Sequence, residues 1–181
     1  MPKTLKYAGI GPRQTPLEVC EGIVDIARQL DHLGWMVRSG YAQGADQAWE
    51  AGHVPAAREI YLPWDGFNAK SPDGRSYAVC PYTDELEAVA KMSHPYWDGL
   101  SNGGKKLMMR NVAIILGHDL GDPVQFVAYW SQQKQPQGGT GNAVRLASLY
   151  GIPSFNIGFV EDQTAMSDFV DAQLELNRKA A

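Results

Sequence analysis

The sequence predicts a doubly wound α/β fold, with about five parallel strands in the order 3-2-1-4-5 and helices on both faces. Three observations predict it. Short runs rich in β-branched and aromatic residues alternate with longer runs of helical periodicity. Glycine-bearing small-residue turns follow the strand-like runs, at residues 9–13, 39–46 and 138–142. Helices between successive strands impose right-handed crossovers and hence a parallel sheet.

Residues 5–10 read as the first strand, and Gly11-Pro12-Arg13-Gln14-Thr15-Pro16 as the turn behind it. Thr15 is placed to cap the next helix, with Pro16 at its first position and Glu18 in its first turn. Val19, Ile23, Ile26, Leu30 and Leu33 recur at alternating spacings of four and three, one apolar helix face that Gly34 closes. Residues 35–39 form the second strand, residues 47–51 a short helix ended by Gly52, and residues 58–62 a third strand ended by Pro63. Residues 64–81, rich in Gly, Pro, Asn and Asp, read as a loop insertion. Thr83 starts a helix to about Met92, and a second helix spans 105–116 with Arg110-Asn111 in mid-span. The fourth strand covers 124–130, a helix 143–150 follows the glycine-rich turn, and the fifth strand covers 152–157. A last helix, 161–178, carries Met166, Phe169, Val170 and Leu174 on one stripe. A single domain spanning residues 1–181 is expected.

Composition narrows the function classes. The chain has 181 residues, is 44% hydrophobic and 20% charged, and carries a net charge of -4, which argues against a nucleic-acid coat protein. Lys105, Lys106, Arg110 and Arg145 still allow a local basic face. Cys20 and Cys80 are too few for a disulfide framework and suit a reducing cytoplasm. No apolar run approaches the roughly 18 residues of a membrane helix. No signal peptide is expected from the N-terminus. His32, His53, His94 and His118 show no ligand spacing, there is no CxxC, and no metal or cofactor is called for. Each histidine reads as a surface or capping residue.

An open parallel sheet binds ligands at the carboxyl ends of its strands, beside the reversal in strand order. In the expected order the first and fourth strands flank that point, so the three glycine-bearing turns converge on one crevice. Gly138, Gly139, Thr140, Gly141 and Asn142 would leave amide N–H groups free at a helix N-terminus, where the helix dipole favours an anion. Gly11 and Arg13 belong to the first turn, and the Arg13 guanidinium offers a fork for phosphate. Ser39 offers a hydroxyl, while Gly40 and Gly44 let backbone approach a sugar or phosphate. Asp46 fits either a ribose hydroxyl or the N-cap of the helix behind it. Arg110 and Asn111 either point into the crevice or lie on a solvated helix face. Trp64, Tyr96 and Trp97 are candidates for base stacking or for packing.

With these residues on the page, the chain resembles the SLOG superfamily, the Rossmann-like group that includes DprA/Smf proteins and LOG-type enzymes. The resemblance spans residues 5–158. It rests on Tyr7-Ala8-Gly9-Ile10-Gly11-Pro12-Arg13, Arg38-Ser39-Gly40-Tyr41-Ala42-Gln43-Gly44-Ala45-Asp46 and Glu59-Ile60-Tyr61-Leu62-Pro63-Trp64, then on Met109-Arg110-Asn111, Gly138-Gly139-Thr140-Gly141-Asn142-Ala143 and Gly151-Ile152-Pro153. It looks closest to DprA-like and YspA-like members, including small ones from phages. The resemblance implies a nucleotide or nucleic-acid ligand on the glycine turns, a role for Arg110 in the Arg-Asn pair, and a homodimer or higher homo-oligomer. Where LOG-type enzymes carry a catalytic glutamate this chain has Arg145, and Gln137 replaces their proline. Glycosidic cleavage would then need another carboxylate, with Asp46, Glu50 or Asp65 as candidates. The expected function is binding of a phosphorylated nucleoside, such as a nucleotide signal or an ADP-ribose derivative. The alternatives are N-glycosidic hydrolysis of such a ligand, and single-stranded DNA binding through Lys105, Lys106 and Arg110.

Overall fold

The computed structural model describes residues 4–180. The elements run β1 (Lys6–Ile10), α1 (Leu17–His32), β2 (Met36–Ser39), α2 (Ala45–Ala51), β3 (Arg58–Leu62), β4 (Tyr77–Val79), α3 (Asp84–Ser93), α4 (Asn102–Leu116), β5 (Phe126–Tyr129), α5 (Gly138–Leu149), β6 (Ser154–Asn156) and α6 (Val160–Lys179). The sheet has six strands in the order β4-β3-β2-β1-β5-β6. Every neighbouring pair is parallel. The expected order of five strands survives inside this sheet, but the count is corrected. β4 arises within residues 64–81, which read as loop because Tyr77-Ala78-Val79 is too short for a periodic signal. It pairs with the sheet edge through Ile60 opposite Tyr77 and Leu62 opposite Val79.

Alternation along each strand divides the core between two faces. Ala8, Ile10, Val127 and Tyr129 pack under α3, α4 and α5, against Leu86, Val112 and Leu146. Tyr7, Val37, Phe126 and Ala128 pack on the other side against Ile23, Trp49 and Met166. The last helix therefore rests on the sheet through the stripe its sequence shows.

Several boundaries move for local reasons. Thr15 does not cap α1; its hydroxyl donates to the Pro12 carbonyl at 2.7 Å, and Pro16 occupies the cap position. α2 starts at Ala45, with Gly44 at its N-cap, so Asp46 lies inside the helix rather than capping it. α5 starts at Gly138, so the glycine-rich stretch is helix and not a turn before one. His53 is neither surface nor cap. It is buried, with Nε2 2.8 Å from the Tyr7 hydroxyl and Nδ1 3.2 Å from Asp31. Burial lowers its pKa to about 4, against the opposing pull of Asp31.

One polar cluster lies in the α3–α5 side of the core. Arg38 has no exposed surface. Its guanidinium donates to Glu59 and to the Asp122 carboxylate, both at 2.8 Å, and to the Asp122 carbonyl at 2.8 Å. Lys6 Nζ reaches the same carboxylates at 3.1 and 2.5 Å. Burial pushes Glu59 and Asp122 upward, but the neighbouring Arg38 and Lys6 outweigh it and hold both below their ordinary values. Carboxylates held low in the folded state add stability above their unfolded pKa and lose it as pH falls through the folded pKa. Replacement Arg38→Met leaves both without their buried partner. It should cost about 3 kcal/mol in urea unfolding at neutral pH. That cost should shrink on acidification, as the two carboxylates take up protons in both proteins.

Candidate functional site

Adjacent β1 and β5 leave the sheet in opposite directions of strand order, and the loops behind them diverge to open a crevice. One wall is the loop after β1, with Gly11, Arg13 and Gln14; the opposite wall is the first turn of α5, with Gln137, Gly138, Gly139 and Thr140. α4 closes the back with Met108, Arg110 and Asn111, and Asp46 lies at the base. The hollow encloses about 490 Å³, within the range of small-molecule sites.

Asp46 orders the base. It is 3% exposed, and its two carboxylate oxygens accept the amides of Gly11 at 3.2 Å and Ala42 at 3.3 Å. One side chain thus ties the loops after β1 and β2 together. Gly44, at φ +80°, makes the crossing possible: a Cβ there would stand 2.6 Å from the Arg13 carbonyl oxygen. Burial pushes the Asp46 carboxyl up to about 6, although Arg110 and the amides of Ala42, Gly11 and Gly40 pull it down.

Arg110 is not on a solvated helix face; it is 7% exposed. Nη1 donates to the Gly40 carbonyl at 2.6 Å and Nη2 to Asn111 Oδ1 at 3.4 Å, while buried Nε has no hydrogen-bond partner. Burial lowers its pKa, opposed by Asp46. A Cβ at Gly40 would stand 2.2 Å from Nη1, so a larger residue there would displace this guanidinium. Asn111 Nδ2 donates to the Gly139 carbonyl at 3.1 Å and fastens α4 to α5. No side chain caps α5, so its first turn, the positive end of the helix dipole, borders the hollow without a side-chain capping acceptor.

The sequence-predicted residues therefore divide. Gly11, Arg13, Asp46, Arg110, Asn111, Gly138, Gly139 and Thr140 border the hollow. Ser39, Gly40, Gly44, Gly141 and Asn142 do not border it and make internal packing contacts instead. Ser39 Oγ donates to the Gly9 carbonyl at 2.6 Å. Gly141 packs beneath the Pro136 carbonyl. Asn142 turns away and donates to the Ser93 carbonyl and hydroxyl, both at 3.1 Å. Among the catalytic candidates, Glu50 is held by the Tyr77 hydroxyl and by Arg58 outside the hollow, and Asp65 is an exposed loop residue. Asp46 is the remaining carboxylate at the site. Lys105, Lys106 and Arg110 do not form one basic face. Lys105 and Lys106 lie over the Trp97 and Tyr82 rings, 5.7 and 5.2 Å from their centroids, while the buried Arg110 reaches the Gly40 carbonyl. Trp97 is buried, Tyr96 is exposed, and Trp64 packs edge-on to Phe67. The sequence reading missed Gln14 and Met108. Helical spacing of Leu107 with Arg110 and Asn111 was the available signal for the α4 wall.

Among the described residues no group of three or more His, Cys, Asp or Glu side chains is placed to hold a metal ion, and no helix is long and apolar enough to cross a membrane. No protein-family model matches the chain, and a search of curated proteins returned no match. Among solved structures the fold is similar to DNA processing protein A from Helicobacter pylori, a structure described for its single-stranded DNA binding mode. The TM-score is 0.58 at 20% sequence identity, over 84% of this chain and 65% of that one.

An acid whose folded pKa exceeds its unfolded value binds more protons when folded, so its contribution to stability falls as pH rises between the two values. For Asp46 the window runs from the ordinary 3.8 to about 6, and the loss amounts to roughly 3 kcal/mol. Replacement Asp46→Asn should remove this slope from urea midpoints measured across that window. An unchanged slope would place the titrating group elsewhere.

Proposed function

We propose that the hollow binds a phosphorylated nucleoside, with phosphate against the first turn of α5 and Arg13, and the sugar over Asp46. The observation that carries this is the uncapped first turn of α5, which borders the hollow opposite the exposed Arg13. The buried Arg110 guanidinium, held by the Gly40 carbonyl, adds positive charge behind the α4 wall. Free helix amides and a second guanidinium border the same space, which is the arrangement phosphate requires. Apolar Met108 and Leu107 give a base or sugar a non-polar surface. The carboxylate of Asp46 suits a ribose hydroxyl. If it were instead catalytic, it would serve as the proton donor or acceptor in glycosidic cleavage.

A second reading, capture of single-stranded DNA at the same hollow, is favoured by the likeness to Helicobacter pylori DNA processing protein A. Against it stands the net charge of -4, since strand binding draws on many phosphate contacts.

Thermal shift and calorimetry with AMP, ADP-ribose and NAD test the proposal, with chromatography for released base. AMP or ADP-ribose should raise the melting temperature. Exposed Arg13 can be changed without disturbing the core, and Arg13→Ala should weaken binding about tenfold. Arg110→Met should weaken it further. Base release would move the reading to a hydrolase acting through Asp46. Oligonucleotide retardation that fades with salt, with no response to any small nucleotide, would establish the second reading instead.

A further inference from the structure

The hollow does not end at α5. A second depression of about 480 Å³ continues from it across a ridge formed by Pro12, Gln14, Gln137 and Thr140, which border both. The two halves differ in charge. Arg13, Asp46 and Arg110 border the first. No ionisable side chain borders the second, whose walls are Trp130, Ser131, Gln132, Gln133 and Pro136.

The segment that forms these walls is held in shape. Asn156, 1% exposed, accepts the amides of Ser131 and Gly158 at 3.0 Å and donates to the carbonyls of Ser131 and Gln133 at 3.0 and 3.2 Å. Asp162 in turn accepts the Asn156 amide at 2.9 Å. The carboxamides of Gln132 and Gln133, in contrast, make no intramolecular hydrogen bond among the described residues and stand exposed at the mouth. A carboxamide presents a donor and an acceptor side by side, the pattern that matches a nucleobase edge. An indole beside it supplies a stacking surface.

We infer that this neutral depression is a second nucleoside subsite, so that the ligand class is two nucleosides joined through phosphate. The inference rests on the phosphate reading of the first hollow. The first hollow alone has room for a nucleoside phosphate; a depression of similar size, without charge and sharing its ridge, extends the site by one more nucleoside. The joining phosphate lies at the ridge, beside the first turn of α5. Either a free dinucleotide or the phosphorylated end of a strand presents this chemistry.

Calorimetry with AMP, diadenosine diphosphate, the phosphodiester dinucleotide pApA and a longer 5′-phosphorylated oligoadenylate tests it. At least one of the two dinucleotides should bind about tenfold or more tightly than AMP. The paired replacement Gln132→Ala and Gln133→Ala should abolish that advantage and leave AMP binding unchanged, with circular dichroism confirming the fold. A dinucleotide as the tightest ligand identifies a free molecule as the source; a clear further gain with the oligoadenylate identifies a strand end. Dinucleotides no tighter than AMP, or a variant that weakens AMP equally, would overturn the second subsite while the phosphate reading stands. Failure of every probe to bind would remove both.

Discussion

A single buried carboxylate organises the working end of this molecule. Asp46 accepts amide hydrogens from two loops that are far apart in sequence, the one after β1 and the one after β2. Without it those loops would be joined only through strand ends and a few backbone bonds. Its burial is unfavourable for charge, as the upward displacement of its pKa shows. That unfavourable term is offset by backbone amides that would otherwise be buried without acceptors, and by Arg110. The same crossing requires glycine at position 44, which sits at φ +80° where a Cβ would stand 2.6 Å from the Arg13 carbonyl oxygen.

Arg110 extends this order to a third element. One of its nitrogens reaches the Gly40 carbonyl at the end of β2, and its neighbour Asn111 reaches the Gly139 carbonyl at the start of α5. α4 therefore clamps both sides of the crevice with adjacent residues. The clamp leaves Nε without a partner. The hollow between the clamped elements is preformed, so its cost of ordering is met in folding.

Polar groups are distributed between the strand ends with different consequences. Toward the strand starts, Arg38 and Lys6 meet Glu59 and Asp122 in a cluster whose charges balance. At the strand ends the site has two guanidinium groups, one carboxylate and an uncapped helix terminus. The first arrangement favours a unique packing of strands, and the second favours binding.

Much of the architecture was written in the chain. Periodicity and strand-ending turns were enough for a parallel sheet with β1 and β5 side by side, because the alternation of strand and helix together with right-handed crossovers leaves few topologies. Those signals are local, and so they placed Gly11, Arg13, Gly138, Gly139 and Thr140 on one rim. They could not show β4, whose three residues become strand only by pairing with β3. Nor could they decide which way a polar side chain turns. Arg110 reads as either a crevice contact or a solvated residue and is buried, Asn142 reads as a ligand contact and faces Ser93, and Glu50 is occupied by Tyr77 and Arg58. Side-chain direction depends on which partner lies across the interior, often dozens of residues away. Only the packed tertiary structure supplies that partner.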